Sequence, residues 1–168
     1  DGRDDPNQVE GAPHPPQLNK PESSARRHLD LLDEGGGQEA GGKRALRYAG
    51  DALSLFGAEF GPYPYAELDV VATPTKAGGI EYPGAIVVAQ GLYDEDGGFF
   101  EVATAHEVAH QWWFQAVGND QVSEPWLDEG LTEDSSARLM EWAYPGQGLL
   151  QIGGFTLSAL DLDRMQYL

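Results

Sequence analysis

Two histidines four residues apart, with a glutamate directly after the first, constrain this chain more than any other stretch: His106-Glu107-Val108-Ala109-His110. On an α-helix, positions i and i+4 share a face, so a helix here lets both imidazoles reach one metal ion. Glu107 then stands beside the open coordination position without filling it. Eighteen residues separate His110 from Glu129, in Trp126-Leu127-Asp128-Glu129-Gly130, which is the candidate third protein ligand. Catalytic zinc takes three such ligands and leaves its fourth position to water. A bare H-E-x-x-H also arises in helices whose histidines are merely solvated or packed in the core. The Gln111-Trp112-Trp113 that follows and the spacing to Glu129 weigh towards a metal site. The expectation is one Zn2+ ion held by His106, His110 and Glu129, with Glu107 as general base and acid.

The same blocks carry a family resemblance. H-E-x-x-H, the eighteen-residue gap and W-L-D-E-G resemble the gluzincin metallopeptidases, most closely the aminopeptidase N-like family. Upstream, Gly78-Gly79-Ile80-Glu81-Tyr82 resembles that family's G-x-M-E-N segment, with Gly79, Ile80 and Tyr82 as departures and the glutamate kept. The resemblance covers roughly residues 44–144. It implies that Glu81 holds the free α-amino group of a peptide substrate, and that Gly78 and Gly79 belong to the segment lining the substrate backbone. It also implies a metal-activated water attacking the first peptide bond, with Glu107 moving the proton. Glu133, one helical turn after Glu129, is placed to hold the second ring nitrogen of a ligand histidine. Asp134 stands where the aminopeptidases more usually have a tyrosine.

Composition narrows the partners. The 168 residues include no cysteine, which excludes disulfides and thiolate metal sites. A formal charge of −18 argues against nucleic-acid or anionic-membrane binding, which call for basic patches. No apolar stretch reaches the length of a membrane span, and the N-terminal residues do not read as a signal peptide. The compartment stays open.

Along the chain, residues 1–42 are polar, acidic and punctuated by Pro13-His14-Pro15-Pro16, Gly35-Gly36-Gly37 and Gly41-Gly42. Such composition reads as a disordered tail or linker, with residues 43–168 as the catalytic module. Leu46, Ala49, Leu53, Phe56 and Phe60 recur at helical steps, and Gly61-Pro62 ends that helix. Leu68–Ala72 and Ala85–Ala89 read as strands, with Gly78-Gly79 as a turn between them. A helix from Phe99 to Val117 carries the two histidines, and a second begins at Ser123-Glu124-Pro125 to carry Glu129. Residues 148–168 read as weakly helical. Trp112, Trp113 and Trp126 are expected to pack between the two site helices. This order predicts an α+β fold, mostly helical with a small sheet, and the resemblance implies a thermolysin-like zincin half-domain.

Two parts of the family pattern have no counterpart. The tyrosine that stabilises the oxyanion lies well downstream of the third ligand, and Tyr144 and Tyr167 are too close to Glu129 to be carried over. No match to the preceding β-sandwich is expected within these 168 residues. The copy is therefore expected to be truncated and its activity weak. Two alternatives stay open: a thermolysin-like endopeptidase, and a catalytically silent domain binding zinc or peptide ends.

Overall fold

The computed structural model describes residues 36–94, 98–144, 150–152 and 155–158. Helix α1 spans Gly36–Glu59, strands β1, β2 and β3 span Asp69–Thr73, Gly79–Tyr82 and Ala85–Ala89, and a 3-10 turn follows at Gln90–Asp94. Helices α2 (Phe99–Ala109) and α3 (Trp126–Ala143) come next, then strands β4 (Leu150–Ile152) and β5 (Phe155–Leu157). The architecture is the expected mixture of helix and small sheet. No described helix is long and apolar enough to cross a membrane.

Strand β3 lies at the centre of the three-stranded sheet, parallel to β1 and antiparallel to β2. Its Ile86 and Val88 are buried and alternate with less buried neighbours, the period of a strand with one face on a core. Helix α2 packs on α1, α3, β2 and β3, so it occupies the middle of the fold. It buries Phe100, Ala103, Ala105, Val108 and Ala109. Burial of aliphatic and aromatic side chains at about 25 cal/mol per Å² is the main force holding such an element in place. Phe56, Phe60, Tyr63, Trp112 and Trp113 form a run of ring contacts at the foot of this core, with centroids 4.8–6.4 Å apart.

Several boundaries differ from expectation for identifiable reasons. Helix α1 starts at Gly36 rather than Lys43, and residues 1–35 of the expected tail lie outside the described residues. Gly41 explains part of the extension: a Cβ there would meet the Tyr93 carbonyl at 2.7 Å, so only glycine lets the helix lie this close to the 3-10 turn. The buried stripe of α1 runs through Ala45, Tyr48, Ala49, Ala52, Leu55 and Phe56, one step off the predicted one, leaving Leu46 and Leu53 at its margin. Gly78 closes the bend at 76–78 that reverses the chain after β1, and Gly79 opens β2, a strand the sequence reading did not separate. A second reversal falls at Pro83-Gly84 between paired Tyr82 and Ala85. Residues 150–152 and 155–157 pair as antiparallel strands rather than forming a weak helix, with Ile152 opposite Phe155, and the rest of 148–168 except Ser158 lies outside the described residues.

Helix α2 ends at Ala109, well before Val117. From Gln111 the amides bond three residues back, Gln111 to the Val108 carbonyl and Trp112 to the Ala109 carbonyl, both at 3.0 Å. Gln115 then donates five residues back to the His110 carbonyl at 3.1 Å, while Phe114 donates forward to the Val117 carbonyl at 3.0 Å. Phe114 has a positive φ of 95, a region where glycine is usual. A non-glycine residue there costs about 1–3 kcal/mol. No periodicity announces such a reversal.

Candidate metal centre

The three expected ligands come together. His106 lies in the last turn of α2, His110 caps its C-terminus, and Glu129 sits in the first turn of α3. His106 Nε2 is 3.1 Å from Glu129 Oε2, and His110 Nε2 is 3.8 Å from the same oxygen. The ligand atoms of all three lie within 4.8 Å of one another. Bonds of ~2.0–2.2 Å in tetrahedral geometry would set such atoms roughly 3.3–3.6 Å apart. Two imidazoles and a carboxylate are also the donor types that zinc takes, so the residues present fit the ion.

Each histidine has a partner behind it. His106 Nδ1 is 3.4 Å from Glu133 Oε2, the place expected for an outer carboxylate. His110 Nδ1 is 3.2 Å from the Trp113 carbonyl and 3.3 Å from Thr132 Oγ1, with Asp128 Oδ2 at 3.8 Å. These partners fix both rings with Nε2 facing Glu129. Asp134 faces away and pairs with Arg138 at 2.7 Å on the exposed side of α3.

The charges are tightly coupled. Burial disfavours a proton on His106, yet the Glu129 and Glu133 carboxylates outweigh it and raise its pKa to about 10. Burial and the neighbouring His106 charge push His110 down. Hydrogen bonding from His106 holds Glu129 below the usual carboxylate range. In the metal-free chain one proton on His106 thus takes the place of a cation between the carboxylates.

Glu107 is 6% exposed, and burial, with help from the Glu81 and Glu129 charges, raises it to about 7. Its Oε2 is buried without a hydrogen-bond partner. Gly79 of β2 lies directly against it: any Cβ at that position would overlap the Glu107 carboxyl group and its Cγ. A second convergent group joins Glu81, Glu107 and His110, again within 4.8 Å, so Glu81 opens onto the same space from the sheet side. Gly78 precedes β2, and its carbonyl accepts from Ala89 N at 3.0 Å, anchoring the start of the strand to β3.

The sequence did not announce the residues that join these walls. Gln111, wholly buried, accepts from Gly84 N and donates to the Tyr82 carbonyl, both at 3.0 Å, and so clamps the β2–β3 turn to the end of α2. Gln121 donates to Glu81 and Asp128, and Asn119 to Asp128. Their one legible sign is position, beside a ligand or in the loop between the ligand helices. Of the three tryptophans, Trp112 is buried and bonded to the Gly61 carbonyl, and Trp113 is bonded to Ser135. Trp126 departs from expectation: it is 66% exposed, its ring nitrogen bonded to Glu124. Tyr144, at the far end of α3, donates to Asp51 of α1 at 3.2 Å.

A two-histidine, one-glutamate centre with a buried glutamate beside it, on this mixed scaffold, defines the gluzincin class of metallopeptidase. Residues 44–158 match the Peptidase family M1 domain, and the chain belongs to that aminopeptidase N-like family. It is 34% identical over 140 residues to Aminopeptidase M1-B of Oryza sativa subsp. japonica, covering 77% of this chain and 16% of that protein. It is 37% identical over 100 residues to Aminopeptidase M1 of Arabidopsis thaliana, covering 54% of this chain and 11% of that protein. Aminopeptidase N of Canis lupus familiaris is 35% identical over 100 residues, 54% of this chain and 10% of its own length. The chain therefore spans at most about a sixth of the length of these relatives.

Proposed function

We propose that this chain is the metal-binding part of a zinc-dependent aminopeptidase, built as a thermolysin-like half-domain, that removes N-terminal residues from peptides. The observation that carries the reading is the convergence of His106 Nε2, His110 Nε2 and Glu129 Oε2 beside the unpartnered Oε2 of Glu107. His106, His110 and Glu129 would hold the ion. A bound zinc ion would supply Lewis acidity, polarising the scissile carbonyl and making water acidic near neutral pH.

Glu107 accepts a proton from the attacking water at Oε2 and delivers it to the nitrogen of the leaving amine. The carboxylate of Glu81 pairs with the substrate's α-ammonium, a charge-assisted bond. Gly78 and Gly79 line the substrate backbone, and the bare backbone of Gly79 leaves Glu107 its room. Glu133, Thr132 and the Trp113 carbonyl keep the imidazoles oriented.

Hydrolysis of aminoacyl amides by the purified chain, with and without a chelator, tests this reading alongside elemental analysis for zinc. The parent should carry about one zinc per chain. Glu107→Gln should keep that zinc and lose turnover by roughly 10²–10⁴. Loss of the metal in that variant would make Glu107 a ligand. Equal cleavage of acetylated and free-amine peptides would replace the aminopeptidase with an endopeptidase. Zinc without any hydrolysis would leave a binding domain.

A further inference from the structure

Gln121 lies in the loop between α2 and α3, outside the machinery described so far. Its side-chain nitrogen donates to Glu81 Oε1 at 2.7 Å and to Asp128 Oδ2 at 2.8 Å. A primary amide carries two N–H bonds, so one group serves both carboxylates. Asp128 is itself buried, held at Oδ1 by Asn119 Nδ2 at 2.7 Å, and its Oδ2 stands 3.8 Å from His110 Nδ1. Through Gln121, a carboxylate on the edge of the sheet is tied to the group behind a histidine on the neighbouring helix.

We propose that Gln121 is a positioning residue that sets the reach from Glu81 to the His110 side of the site and thereby makes the chain selective for free amino termini. The inference rests on the reading of Glu81 as the amine anchor. Glutamate has three side-chain torsions, and a free Glu81 would sweep its carboxylate over a wide arc. One residue of extended peptide spans only ~3.3–3.6 Å. An anchor that wanders by that distance no longer distinguishes the first peptide bond from the second. Gln121 fixes Oε1 and leaves Oε2 to accept from an ammonium. It does so as a neutral donor. A lysine or arginine in its place would also order Glu81, but would cancel the charge that attracts the substrate amine.

NMR titration of the zinc-loaded full chain with leucinamide and N-acetyl-leucinamide tests the proposal by binding, independent of turnover. Zinc content is measured for each variant, and Glu81→Ala is run in parallel. The parent should prefer leucinamide, and Glu81→Ala should abolish that preference. Gln121→Leu should reduce the preference about tenfold, the loss expected for one hydrogen bond to a charged group, with zinc content unchanged. Gln121→Asn, one methylene too short to span both carboxylates, should fall in between and guards against a folding defect in the leucine variant. An unchanged preference in both Gln121 variants, with Glu81→Ala still abolishing it, overturns the role of Gln121 alone. If the parent shows no preference, or Glu81→Ala retains it, the amine-anchor reading fails and this inference falls with it.

Discussion

On the α2 side of the site, the His110 side chain is 1% exposed and meets the Trp113 carbonyl, Thr132 and Asp128. On the α3 side, the Glu129 side chain is 55% exposed, and among the described residues its ion-pair partners are the two histidines. The first wall is part of the hydrophobic core, ordered by the same packing that folds the domain. The second is a helix start whose half-exposed, site-facing carboxylate is held by the two histidines, His106 through a hydrogen bond and His110 by charge. The first wall therefore exists before any ion binds, and the second depends on a cation, a proton on His106 or a metal, to keep its carboxylate in place.

Removing one ligand from each wall gives the largest expected contrast. His110→Ala and Glu129→Ala should each weaken zinc binding by more than the ~10–100-fold typical of outer partners. Thermal melts of the metal-free variants should separate them. His110→Ala empties a buried position and strips partners from Thr132 and the Trp113 carbonyl, a cost of about 1–3 kcal/mol. Glu129→Ala removes an exposed ion pair, worth about 1 kcal/mol or less. Equal destabilisation by the two would erase the distinction between the walls.

The same contrast predicts an uncommon pH response. Glu107, raised from 4.5 to about 7, and His106, raised from 6.5 to about 10, both bind protons more tightly in the folded state. Their contribution to stability is present below the unfolded pKa values and is lost as pH rises through the folded ones. Glu129 and Asp128 are lowered, so their contribution is kept above their unfolded values and lost only in acid, while His110, lowered from 6.5, opposes the fall below that pH and leaves most of it above. Between about pH 5 and pH 9, the metal-free chain should therefore lose on the order of 5–10 °C in Tm. Glu107→Gln should flatten the part of this fall below pH 7. Zinc must displace the His106 proton, so its affinity should instead rise with pH, by about tenfold per unit while one proton is released. A metal-free Tm that climbs from pH 5 to pH 9 would contradict the protonated pair.

What the sequence made legible follows the same division. The convergence of His106, His110 and Glu129 could be read because a helix repeats every 3.6 residues and a metal demands particular donors, so spacing singles these three out as candidate ligands. Strand β3 could be read because its Val and Ile residues fill a pleated surface. Gln111 and Gln121 act across 27–29 and 40 residues of chain, through contacts that no local pattern encodes. The end of α2 was misjudged because Trp112 and Trp113 continue the apolar run, while the reversal rests on Phe114 at a backbone angle its residue type disfavours. The exposure of Trp126 escaped for a related reason: a large aromatic beside a ligand reads as core until the neighbours that would cover it are known.

The finest test lies within the exposed wall, between two adjacent acids. Glu133 and Asp134 differ by about 100° around α3, and only Glu133 turns towards His106, at 3.4 Å from its Nδ1. Asp134 spends its charge on Arg138, an exposed i, i+4 pair worth about 0.3–0.5 kcal/mol. Glu133→Ala should weaken zinc binding by about 10–100-fold by releasing the His106 ring. Asp134→Ala should change zinc affinity by less than about twofold and lower stability by no more than that ion pair. Asp134 stands where the resemblance more usually has a tyrosine. A loss of zinc in Asp134→Ala comparable to that in Glu133→Ala would mean that the helix rotates on metal binding and that its exposed face belongs to the site.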